Sequence, residues 1–193
     1  MMFAGLLVIH ILAGLTCVIT GVVAMVSPKR PGRHPRFGAV FYGAISLLFA
    51  TATGMAAMRW SRDYQLFLIA AAAFGSASVG YAARKIRWKG WITFHISGMG
   101  LSYVALLTGF YVDNGPSLPV WKLLPHLTYW LLPGAIGVPL ILRALVRWGG
   151  RTGRYAAQDQ GAGRQPGLPT WRRPRRPVPP ARDSAHPRQG RLP

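Results

Sequence analysis

The chain has no glutamate and only four aspartates, Asp63, Asp113, Asp159 and Asp183, among its 193 residues. All four fall in stretches read as loops or tail, so no carboxylate pair stands ready for acid and base chemistry inside a fold. Proton pumps and cation-coupled carriers built on buried acids are disfavoured for the same reason. The single cysteine, Cys17, excludes an internal disulfide, a Cys-x-x-Cys redox pair and a Cys-x-x-Cys-His covalent haem attachment. It is read as a small packing residue. No glycine-rich phosphate loop occurs.

What the chain has instead is long apolar runs. A hydrocarbon core about 30 Å thick needs roughly 20 apolar helical residues, and five stretches qualify: 3–26, 37–58, 64–83, 91–112 and 126–146. The first four carry no Asp, Glu, Lys or Arg. The fifth contains Pro133 and Pro139, which are expected to kink or unwind it locally, and Arg143 near its end. The expected fold is an all-α integral membrane bundle of five transmembrane helices over residues 1–147. The first run, which lacks a basic leader and is too long for a signal peptide, is expected to remain as an anchor.

Basic residues set the expected orientation. Lys29, Arg30, Arg33 and Arg36 follow the first run, Arg84, Lys85, Arg87 and Lys89 follow the third, and Arg143 and Arg147 close the fifth. The positive-inside rule makes these cytoplasmic, with the N-terminus out and the C-terminus in, in the cell (inner) membrane. Residues 148–193, rich in Pro, Gly and Arg, read as a disordered cytoplasmic tail attracted to anionic lipid headgroups. The net charge of +19 is accounted for by loops and tail, and no recognition motif accompanies it, so nucleic acid is not an expected partner.

Four histidines belong to the membrane domain. At about 1.5 Å per residue, His10 lies roughly 10 Å below the outer surface and His95 about 6 Å from the inner one. His34 precedes the second span on the inner side, and His126 opens the fifth on the outer side. Depth alone sorts them into an inner pair, His34 with His95, and an outer pair, His10 with His126. His10 shares a face with Gly14, Cys17 and Gly21, and His95 with Gly98, Met99, Ser102 and Tyr103. Small residues of this kind mark helix-packing faces, so both histidines are expected to look inward.

Two opposed neutral imidazoles in an apolar slot are the axial ligand set of a b-type haem. The first functional reading is therefore an electron-transfer protein with haem b on His10, His34, His95 and His126, which serves a membrane redox partner. Arg33, Arg36, Arg84 and Lys85 would neutralise haem carboxylates, and Tyr42, Tyr81 and Tyr103 would support the ligands or pack. The alternative is a scaffold or assembly subunit whose histidines tie helices and whose tail binds a partner. Behind both stands a small-solute transporter that uses a broken fifth helix, although the two halves of the chain show no repeat.

"HILAGLTCVITGVVAMVSPKRPGRHPRFGAVFY", with His10, Gly14, His34, Gly38 and Tyr42, resembles the bacterial membrane-protein family called domain of unknown function 2306. "FHISGMGLSYVALLTGFYVDN", with His95, Met99, Tyr103 and Thr108, resembles the histidine-bearing fourth span of the same family. The resemblance covers residues 1–146 and implies the same membrane fold and residues, without an activity. A looser resemblance to two-haem membrane cytochromes rests on the histidine-bearing helices alone.

Overall fold

A computed structural model of the protein describes residues 1–29, 32–119 and 121–149. Five α-helices account for nearly all of it: α1 Met2–Val26, α2 Arg33–Met58, α3 Trp60–Ile86, α4 Trp91–Asn114 and α5 His126–Trp148. Each is long and apolar enough to cross a membrane, which is consistent with a multi-pass membrane protein. Apart from Trp148 and Gly149, the tail lies outside the described residues.

The helices outrun their apolar stretches. α2 starts at Arg33 rather than Phe37, and α3 covers Trp60–Ile86 rather than 64–83, taking in Arg62, Asp63, Arg84 and Lys85. Charged side chains at helix ends reach toward water while the backbone keeps its hydrogen bonds, so hydropathy underestimates helix length. Pro35 is tolerated because it sits in the first turn of α2. The turn between α3 and α4 uses two left-handed residues, Arg87 at φ 56° and Gly90 at φ 76°, which reverse the chain within four residues, 87–90.

Consecutive helices pack on one another, and α1 also meets α4 over a short stretch. Helices α1 to α4 therefore surround a common core of Ala13, Cys17, Phe41, Ile45, Leu48, Ala73, Ala77 and Leu106. Cys17 is fully buried there, in the packing role expected of it. The fifth helix lies against α4, where Val104 fills the space over Gly137 and Ile141 that over Gly100. The two prolines do not unwind α5, which is helical from His126 to Trp148. Rows of exposed Leu, Ile and Val on α1 and α5 form apolar surface of the kind that lipid covers.

The backbones of α3 and α4 approach closely at Gly80 and Gly98. A Cβ placed on Gly98 would stand 2.6 Å from the Ser76 carbonyl oxygen and 2.7 Å from the Gly80 nitrogen. A Cβ on Gly80 would stand 2.8 Å from the Met99 nitrogen. Only two glycines allow the backbones to touch here, and this contact positions the site below.

Candidate functional site

At the end of the bundle that carries the basic turns, His34 and His95 come together. Their ring centres are 6.1 Å apart and their planes are nearly perpendicular, at 89°. Each imidazole is held by a different neighbouring helix.

The reason His34 is held lies in the sequence at the end of α1. A helical carbonyl is normally satisfied by the N–H four residues on, and four residues after Ala24 stands Pro28, which has none. The Ala24 oxygen instead accepts from His34 Nδ1 at 2.8 Å and from Lys29 Nζ at 3.0 Å. Lys29 also caps the Met25 carbonyl, at 2.7 Å. Partial burial of its ammonium lowers the Lys29 pKa from the ordinary value.

His95 is held through the glycine contact. Because α3 and α4 touch at Gly80 and Gly98, His95 Nδ1 reaches the Gly80 carbonyl oxygen at 2.9 Å. A carbonyl only accepts, so Nδ1 is the protonated nitrogen of both rings. In the neutral imidazole Nε2 then keeps its lone pair. A backbone carbonyl on Nδ1 is the arrangement that orients histidines whose other nitrogen binds a metal.

The surroundings are basic. Lys29 and Arg84 both act electrostatically on His34 and His95. Trp91 borders the pair, its ring 6.5 Å from that of His95, and Arg87 stacks over Trp91 at 5.7 Å. The acids of the described residues, Asp63 and Asp113, lie at the other end of the bundle, in the first turn of α3 and near the end of α4.

The outer pair expected from depth is not brought together. His10 Nδ1 lies 3.0 Å from Thr51 Oγ1 on α2. The Thr51 hydroxyl donates to Leu47 and Leu48 carbonyls, at 3.0 and 2.9 Å, so it accepts from His10. His126 is exposed and its ring sits 5.6 Å from that of Tyr129 on the same helix. The fifth helix packs on α4 rather than on α1, which keeps the two histidines on separate surfaces.

The tyrosines expected to support the histidines have other partners. Tyr42 stacks on Tyr81 with ring centres 4.3 Å apart and pairs with Ser78 at 3.3 Å, while Tyr103 donates to the Val18 carbonyl at 3.3 Å. Support for the rings comes from the carbonyls of Ala24 and Gly80. The Ser-Pro step at 27–28 signals the first in the sequence; the second depends on a helix crossing that no local pattern announces. Of the four basic residues expected beside a haem, Arg84 acts electrostatically on both rings, Lys85 lies over Tyr81 at 5.5 Å, and Arg33 and Arg36 are exposed. Lys29 joins the site instead, although its position in a basic turn gives no sign of that role.

Among the described residues no group of three or more His, Cys, Asp or Glu converges. The donor set is two imidazoles, too few for a tetrahedral zinc site but the number that a six-coordinate haem needs. Comparisons with known proteins add no assignment: no family model, no curated protein and no solved structure matches the chain.

Proposed function

We propose that this is an electron-transfer protein of the cell membrane, oriented N-terminus out, that holds one b-type haem on His34 and His95 at its cytoplasmic end. The observation that carries the reading is the shared geometry of the two rings. Both commit Nδ1 to a backbone carbonyl, both leave Nε2 available, and their centres are 6.1 Å apart. His34 and His95 would hold the group through their Nε2 atoms, which lie outside the backbone hydrogen bonds.

Haem between two imidazoles supplies one-electron chemistry. The chain's own contribution is positional. Pro28 leaves the Ala24 carbonyl open for His34, and the Gly80–Gly98 contact brings the Gly80 carbonyl to His95. Fixing the rings by backbone rather than by mobile side chains limits the reorganisation on electron transfer. Basic side chains at this end balance the carboxylates of the group. His10 and His126 are then structural, and a second, outer haem is not part of the proposal. Membership of the family called domain of unknown function 2306 is proposed on the motif residues given above.

The scaffold reading has its own observation: His10, His34 and His95 each link their helix to a neighbour by a hydrogen bond. For the transport reading, α5 is helical from His126 to Trp148 with Pro133 and Pro139 inside it, so it offers no unwound stretch. A pyridine haemochrome assay on protein purified from a haem-replete host separates the first two. One haem per chain is expected, and none at all would leave the scaffold.

A further inference from the structure

The basic end of the bundle holds a guanidinium with no counter-ion among the described residues. Arg84 lies one helical turn after Gly80 on α3 and is half-buried, yet among the described residues it has no hydrogen bond, ion pair or ring contact. Its neighbours differ. Lys85 lies over Tyr81, Arg87 over Trp91, and Lys29 is bound to two carbonyls. His95 is anchored on Gly80, whose carbonyl points toward the turn that contains Arg84, and His34 shares the Ala24 carbonyl with Lys29.

A half-buried cation at a membrane surface is costly unless something neutralises it. Neither described acid is at this end. The partner must therefore come from outside these residues. A guanidinium presents a planar fork that matches the two oxygens of a phosphate or carboxylate, which a lysine does not.

We infer that Arg84 is a binding site for the phosphate of an anionic phospholipid of the cytoplasmic leaflet. A haem carboxylate presents similar oxygens, so the source has to be distinguished by the test. The inference does not require the histidine pair to bind iron. It differs from a general attraction of basic loops for the membrane because it assigns one residue of the turn, rather than all of them, as the point of recognition.

Native mass spectrometry of the full chain from mixed micelles of phosphatidylglycerol and phosphatidylcholine tests it. The wild type should retain phosphatidylglycerol preferentially. Arg84→Gln should lose about fivefold of that preference, while Lys85→Gln and Arg87→Gln stay near wild type. Arg84→Lys, which keeps the charge without the fork, should fall between and serves if Arg84→Gln does not fold. His95→Ala, which cannot hold haem between two imidazoles, should keep the preference. Equal losses in the Lys85 and Arg87 variants, or none with Arg84→Gln and Arg84→Lys, would overturn the assignment. A rise in phosphatidylglycerol retention in a helical His95→Ala, as loss of haem frees the guanidinium, would give the anion in the wild type to haem instead.

Discussion

His95 Nδ1 donates to the carbonyl of Gly80, 2.9 Å away, where α3 and α4 touch backbone to backbone at Gly80 and Gly98. The hydrogen bond and the crossing are one feature. A wider crossing would move the carbonyl out of reach, and either glycine replaced by alanine widens it.

Gly98→Ala and Gly80→Ala should each therefore be destabilising, by about 1–3 kcal/mol for a methyl forced into a packed contact. Gly75 shares α3 with Gly80, but a methyl added there would meet nothing within 4 Å, so Gly75→Ala should be neutral or slightly stabilising. Thermal unfolding in detergent of the three variants checks this. Equal behaviour of Gly98→Ala and Gly75→Ala would contradict the close crossing.

His34 and Pro28 should be energetically coupled. His34→Ala leaves the Ala24 carbonyl with Lys29 as its side-chain donor and should cost about 1 kcal/mol. Pro28→Ala restores an N–H four residues after Ala24 and lets α1 continue by a turn. In the double variant the loss from His34→Ala should be smaller than in the wild-type background. A double-mutant cycle measured by unfolding reads the coupling, and strict additivity would argue against the capping role.

Thr51→Val removes the acceptor of His10 Nδ1–H while keeping the side-chain shape. A loss of about 1 kcal/mol in stability is expected, with no change in haem content, because His10 is structural in this assignment. Reduced haem in a stably folded Thr51→Val protein would restore His10 to the set of ligands.

The five long apolar helices and the inward faces of His10 and His95 are legible from hydropathy and small-residue spacing, because both are properties of single helices. The pairing of His34 with His95 is also legible, since two short turns fix which helix ends lie together. Depth fails for His10 and His126. It gives height along the bundle and not lateral position, and α5 packs against α4 rather than beside α1. The prolines of α5 read as a kink or local unwinding, and of these the unwinding does not occur, since the helix continues through both. Hydropathy sets the helix ends too far inward because Arg62, Asp63, Arg84 and Lys85 do not stop a helix; they only leave the apolar run. The carbonyl partners of the two rings need three dimensions, apart from the Ser-Pro signal that opens Ala24.

The most direct measurement is a reduced-minus-oxidised visible spectrum of the detergent-purified protein, with His34→Ala, His95→Ala and His10→Ala beside the wild type. A b-type α band is expected in the wild type and in His10→Ala, and its loss in both His34→Ala and His95→Ala. A colourless wild type, or a band that survives both inner-pair substitutions in folded protein, would contradict a haem held by His34 and His95.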